Sequence, residues 1–238
     1  MFDTVILLAG PIEQTALGAV LRHHNPRLAI VPAASLAALA AIEAALLARA
    51  RLIGFATPVV VPAPILDALG FGAYNFHPGP PHYPGWAPAH FAVYEKASTF
   101  GATAHKMVAR VDEGAIVDAA LFPIPPATSV TRLQELAFTE LARIFWRLAP
   151  LLTKEAALAE RPLRWSGTKS TRRMHAAMCA LAPDISQEEL ERRIEAFGAG
   201  DFGVDLTVTL HGRKFRYVAP ETDRPVAQPN AASVAMVA

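Results

Sequence analysis

Residues 73–85 read AYNFHPGPPHYPG, an apolar approach that runs straight into a cluster of prolines. Gly72, Ala73 and Tyr74 predict a buried strand over residues 72–76. That strand delivers Asn75 and His77, two positions apart and therefore on one face. Pro78, Pro80, Pro81 and Pro84 then fix φ and withhold N–H groups, so the following loop can join neither helix nor sheet. Gly79 and Gly85 allow close backbone approach or positive φ. An amide and an imidazole thus leave a strand at its carboxyl end, where open α/β sheets bind ligands.

Toward the amino end, residues 4–9 (TVILLA), 28–31 and 51–56 are short apolar runs of strand character. Helical spacing appears between them at residues 12–24, from a Ser35 cap through about residue 50, and at 64–69 before Gly70. Strands alternating with helices, each strand a continuous apolar run, predict a parallel sheet covered on both faces with right-handed crossovers. Toward the carboxyl end, 87–96 is helical. Residues 101–109 (GATAHKMVA) alternate like a strand with one face half exposed, and 111–115 turn into a further strand at 116–122, which makes the sheet mixed. Residues 129–152 form a long amphipathic helix with Val130, Leu133, Leu136, Ala137, Leu141, Ile144, Phe145 and Leu148 on one face. The last third is different: a loop at 161–170, a helix opened by the capping box Ser186/Glu189 and ended at Gly198, and a hairpin about His211-Gly212. The expected division is a catalytic domain at 1–155, a small region at 156–218, and a loosely attached tail at 219–238.

The chain has 238 residues, 53% of them hydrophobic, enough for one sizeable core. No uncharged apolar stretch is long enough to span a membrane, and the apolar start is too short for a signal peptide. A net charge of +1 with interspersed signs argues against a nucleic-acid surface. The single cysteine, Cys179, excludes an internal disulfide and reads as a helix residue in a cytoplasmic protein. No H-x-x-x-H or C-x-x-C pair suggests a metal.

Four short motifs, taken in order, resemble the catalytic domain of the 10-formyltetrahydrofolate-dependent formyltransferases. They are Asn75-Phe76-His77-Pro78, Tyr83-Pro84-Gly85, Gly101-Ala102-Thr103-Ala104-His105 and Val111-Asp112-Glu113-Gly114. The resemblance covers roughly residues 1–150 and implies a Rossmann-like formyltransferase fold with a small C-terminal helix and hairpin. It implies that Asn75, His77 and Asp112 are catalytic, with Asp112 orienting or charging His77. Formyl transfer to an amine passes through a tetrahedral oxyanion, which an amide and an imidazole can stabilise. His77 has a suitable intrinsic pKa for the proton transfers, and a nearby carboxylate is expected to favour its imidazolium. The folate is expected against Val59, Val60 and Val61 and against Arg110 and Val111. Gly79, Tyr83, Gly85, Trp86 and Thr103 are the candidates for shaping the amine pocket.

This chain has Gly79 where many relatives have serine, a proline-rich loop in place of a leucine-rich one, and a short first half. Methionyl-tRNA would call for a basic insertion and a larger C-terminal barrel. Glycinamide ribonucleotide would call for a better phosphate loop than Gly10-Pro11. A catalytic domain with a small appendage is more similar to the amino-sugar nucleotide formyltransferases, with Trp165, Lys169, Arg172 and Arg173 as contacts for a base or pyrophosphate. A 10-formyltetrahydrofolate hydrolase and a non-catalytic folate-binding module are the alternatives from other classes. The free edge of the hairpin allows a homodimer.

Overall fold

The computed structural model describes residues 2–219, which fall into two compact units divided between His175 and Ala176. The first is an α/β layer structure. Its elements run β1 (Thr4–Leu8), α1 (Pro11–His24), β2 (Ala29–Ala33), α2 (Leu36–Ala40), α3 (Ala44–Leu47), β3 (Ala50–Phe55), α4 (Ala63–Ala68), β4 (Ala73–His77), α5 (Pro88–Tyr94), β5 (Thr99–Lys106), β6 (Ile116–Pro123) and α6 (Val130–Leu152). The sheet order is β2-β1-β3-β4-β5-β6. The first four strands are parallel, whereas β5 and β6 are antiparallel additions.

Period-two alternation divides each inner strand between two cores. Val5, Leu7, Ile53, Phe55, Tyr74, Phe76, Ala102 and Ala104 face α1 and α6, where they meet Leu17, Leu21, Leu141, Ile144, Phe145 and Leu148. On the other face Ile6, Leu8, Leu52 and Ala73 meet Leu39, Leu47 and Leu69 from the α2–α4 side. Helix α6 starts where Ser129 Oγ accepts the Arg132 amide. Its amphipathic face is the one expected.

Three expectations change. The helix expected from Ser35 to residue 50 is broken into α2 and α3, with Glu43 extended between them (ψ 141°). Strand β2 is a half-exposed edge, which is how Pro32 is accommodated. Strand β5, expected to be half exposed, is buried over Phe100–His105 because β4 and β6 flank it and both its faces are covered.

The end of α6 is held by a buried arginine. Arg51 on β3 is fully buried and donates to Leu152 O (2.6 Å), Glu155 O (2.8 Å), Ala156 O (2.9 Å) and Phe71 O (3.2 Å). Its guanidinium lies over Tyr74 and Phe2. It thereby satisfies carbonyls at and just beyond a helix end that have no intrahelical partner.

The first unit continues to His175 and so includes residues 156–171, which had been expected to belong with the appendage. The second unit holds the end of α7 (Arg172–Cys179), β7 (Ala180–Leu181), α8 (Gln187–Phe197), β8 (Thr207–Leu210) and β9 (Arg213–Arg216). Ser186 Oγ caps α8 through the Glu189 amide, but the Glu189 carboxylate turns to Arg193, so only half of the capping box forms. His211 (φ 48°) and Gly212 (φ 75°) are both left-handed, the type I′ signature of a two-residue hairpin. Cys179 is buried, and burial pushes its thiol pKa up, as befits a structural residue. The expected tail lies, from residue 220 onward, outside the described residues.

Replacing Arg51 by Met leaves these carbonyls without their donor. Arg51→Met is expected to lower the unfolding free energy by about 3 kcal/mol. Urea denaturation measures this, and a loss below about 1 kcal/mol would contradict the capping role.

Candidate active site

The antiparallel pairing of β4 with β5 sets Asn75 opposite His105 and His77 opposite Thr103. All four side chains therefore share the face turned away from α6. A register shift between Ala104 and His105, where β5 meets β6, re-aims the strand at this point. Asp112 comes from the loop joining β5 to β6, with left-handed backbone (φ 50°) that aspartate tolerates better than most residues.

These groups make one buried polar cluster. Asp112 Oδ2 lies 3.5 Å from His77 Nδ1, and Asp112 Oδ1 lies 3.1 Å from His105 Nε2. The Gly85 amide donates to Asp112 Oδ2 at 2.8 Å. His77 Nε2 is 3.0 Å from the carbonyl of Tyr83, and His105 Nδ1 is 2.9 Å from the carbonyl of Lys106. A carbonyl can only accept, so each of these ring nitrogens carries a proton. Neutral His77 consequently presents a bare Nδ1 beside the carboxylate. One end of the Asn75 amide contacts His105 Nε2 at 3.2 Å, while its Oδ1 is buried with no hydrogen-bond partner. Buried polar atoms are normally paired within the fold, so an open amide end suits a ligand.

Burial lowers the pKa of His77 and outweighs the opposing charge of Asp112 and the Tyr83 carbonyl. Imidazole, not the expected imidazolium, is therefore the resting form at neutral pH. Asp112 moves the other way. Burial would raise its pKa, but the charge that His77 gains once protonated in acid, the neighbouring His105 ring and the Gly85 amide together bring it down to about 2.

The proline-rich loop fixes this geometry through its backbone. The Thr103 hydroxyl donates to Gly79 O at 2.8 Å. A Cβ on Gly79 would lie 2.6 Å from His77 Nε2, which accounts for glycine here. Gly85 (φ 98°) bridges to Ser170 so closely that a Cβ would collide with the Ser170 carbonyl. Tyr83 OH donates to Glu95 at 2.8 Å, which anchors the residue whose carbonyl holds His77.

A cavity of about 680 Å³ opens onto the cluster. Asn75, His77, Asp112 and His105 reach it, as do the expected folate contacts Val59, Val60, Val61, Arg110 and Val111. It lies just beyond the carboxyl ends of β3 and β4. Gly85 and Trp86 line it as well, but Gly79, Tyr83 and Thr103 stand behind its wall and act as supports. Lys169 and Arg172 also line the cavity, Lys169 paired with Glu113 (2.6 Å) and Arg172 lying 4.4 Å over the Trp86 ring. Arg173 is not among the lining residues, and Trp165 lies against the histidines instead.

His105 was not singled out from the sequence, although it stands in the quoted G-x-T-x-H strand. Its period-two relation to Thr103 was readable there. Its place opposite Asn75 depends on strand register, which the sequence does not display.

Residues 37–145, somewhat under half of the chain, match the formyl transferase family model. The methionyl-tRNA formyltransferase of Burkholderia multivorans is 28% identical over 174 residues, which are 72% of this chain and 52% of that one. The chain thus spans about half the length of the curated relative it matches. A sugar N-formyltransferase from a Shewanella species superposes with a TM-score of 0.76 at 16% identity, covering 91% of this chain and 97% of that chain. An N-formyltransferase from Helicobacter canadensis, solved with folinic acid and dTDP-3-aminofucose, superposes with a TM-score of 0.61 at 16% identity, covering 89% and 85% respectively. These two structural likenesses show that the fold is shared. Among the described residues no helix is long and apolar enough to cross a membrane, and no group of metal-ligating side chains is assembled.

The cluster should leave a signature in stability. Because the folded pKa of Asp112 lies below the unfolded value of 3.8, the unfolded state takes up its proton first as pH falls. Asp112 is expected to contribute about 2 kcal/mol above roughly pH 4, lost progressively toward pH 2. Urea unfolding across this window measures it, and Asp112→Asn should flatten the slope. An unchanged slope would contradict the buried, ionised carboxylate.

Proposed function

We propose that this chain transfers a formyl group from 10-formyltetrahydrofolate to the primary amine of a small-molecule acceptor, an amino-sugar nucleotide. The observation that carries the reading is the bare Nδ1 of neutral His77 held beside the ionised Asp112, with the Asn75 side chain lining the same cavity. Such a site collects protons from an incoming nitrogen and can offer an amide to a developing oxyanion. The match of residues 37–145 to the formyl transferase family model supports formyl transfer as the chemistry.

The amine nitrogen attacks the formyl carbon and gives a tetrahedral intermediate whose oxyanion is stabilised by the second N–H of the Asn75 NH2, the one that His105 does not engage. The amine proton passes to His77 Nδ1, and the resulting imidazolium is stabilised by Asp112. The bond from the formyl carbon to N10 breaks, and N10 takes the proton from His77. Formylated amine and tetrahydrofolate leave, with His77 neutral again. Val59, Val61 and Val111 supply apolar cover for the pterin, and backbone groups around residues 110–112 would read its edge.

The acceptor assignment rests on Trp86, an aromatic ring backed by the Arg172 guanidinium at the cavity rim, with Lys169 beside it. That combination suits a nucleobase or a diphosphate. It is supported by the aminosugar nucleotide in the Helicobacter canadensis complex, a ligand of that protein. A net charge of +1 gives little footprint for tRNA. The lone buried cysteine is in keeping with a cytoplasmic site of action.

Incubation with 10-formyltetrahydrofolate and a panel of dTDP-amino sugars is expected to yield formylated sugar. His77→Asn should lower kcat by about 10²- to 10³-fold with little change in KM. Because protonation of His77 disables the base, kcat/KM should rise with pH through a midpoint below the ordinary 6.5 of histidine. Formate release at the same rate with and without amine would instead mark a hydrolase. Turnover insensitive to His77→Asn would place the chemistry elsewhere.

A further inference from the structure

Residues 161–170, expected to be a loop, are strapped tightly to the segments that carry the site. The Arg161 amide donates to Ile116 O (2.7 Å), the Ser166 amide to Pro81 O (2.9 Å), the Ser170 amide to Pro84 O (3.0 Å), and the Trp86 amide returns to Ser170 O (3.0 Å). Gly167 is left-handed and packs against the His82 carbonyl where no side chain fits. These bonds hold one large side chain, Trp165, at a fixed place. Its indole stands edge-to-face on two rings at once, with centroids 5.0 Å from His105 and 5.9 Å from His77. Its Nε1–H donates to Gly114 O at 2.8 Å, two residues beyond Asp112.

Trp165 does not line the cavity. It packs on the histidines from another side, so the cluster is open toward the cavity and covered by the indole where the cavity does not reach. The low exposure of His77 and Asp112, 5% and 3%, follows from being enclosed on both flanks. In formyl transfer water competes with the amine as nucleophile, and excluding it suppresses that side reaction. Water would add to the same formyl carbon, the bond to N10 would break with N10 protonated, and formate would be released. A water lodged between His77 and Asp112 would be activated by the same base that serves the amine.

We propose that Trp165 is the wall that keeps water from the His77–Asp112 pair on the flank away from the cavity, and that it thereby directs the formyl group to the amine. Trp165 is a positioning and specificity-determining residue that acts through the histidines. The inference rests on the formyl-transfer reading for its catalytic consequence, whereas the wall itself is a property of the folate-free protein.

Two measurements on the full chain test it. In ¹⁵N-histidine spectra of the wild type, His77 should titrate below 6.5, and Trp165→Ala should move that midpoint upward by relieving its burial. In turnover with an amino-sugar nucleotide, Trp165→Ala should raise the ratio of formate to formylated amine by about tenfold or more. Trp165→Phe, which keeps an aromatic wall but loses the tie to Gly114, should fall between the two. A folded Trp165→Ala protein with unchanged midpoint and unchanged ratio overturns the proposal. So does a wild-type His77 that titrates at 6.5 or above, a result that needs no variant to fold. If the wild type formylates no amine, the function reading fails by itself, while the titration still decides whether the wall exists.

Discussion

The pairing register of β4 with β5 is the constraint on which the rest of the site depends. Antiparallel pairing sets Asn75 against His105 and His77 against Thr103, and strand periodicity turns all four to one face. A slip of one residue would carry these polar groups into the layer of Phe55, Phe76 and Phe145, and bring Phe76 out toward the cavity. The hydrophobic packing of α6 against Tyr74, Phe76, Ala102 and Ala104 therefore specifies the catalytic face by excluding the alternative. Arg51 contributes at a distance by holding the carboxyl end of that same helix.

Rigidity in the following loop converts this placement into a protonation state. Tyr83 holds the Nε2 proton of His77 through its carbonyl, and Tyr83 is itself held by Glu95. Gly85 directs its amide at Asp112 while bridging to Ser170. The prolines keep these carbonyls and amides from being recruited into helix or sheet. Burial then decides between competing electrostatic effects: desolvation dominates at His77, so the imidazole stays neutral, while several favourable contacts dominate at Asp112, so the carboxylate stays charged. Base and counter-charge are thus both available before any ligand enters.

Much of this was legible in the sequence because the signals were local. Strand and helix alternation, the Ser186 cap and the His211-Gly212 turn depend on residues close together in the chain, whereas Asn75, His77 and Asp112 were grouped through the resemblance of their motifs to a known family. What was missed depended on long-range geometry. His105 gains its meaning from register, and the strap bearing Trp165 from hydrogen bonds to Pro81 and Pro84, far away in sequence. The same bonds explain why the first compact unit continues to His175 and does not stop near residue 155. Nor could the sequence weigh burial against charge at His77, since that balance depends on how completely other segments cover the ring. The break between α2 and α3 lies at Glu43 in an alanine-rich run whose local preference is helical.

The central claim is that the fold, before any substrate binds, holds His77 as a neutral base with its proton on Nε2. The ¹⁵N chemical shifts of the two His77 ring nitrogens at neutral pH test this most directly, because they distinguish both tautomers and the imidazolium. The account predicts a protonated Nε2 and a bare Nδ1. A bare Nε2, or two protonated nitrogens at neutral pH, would contradict it.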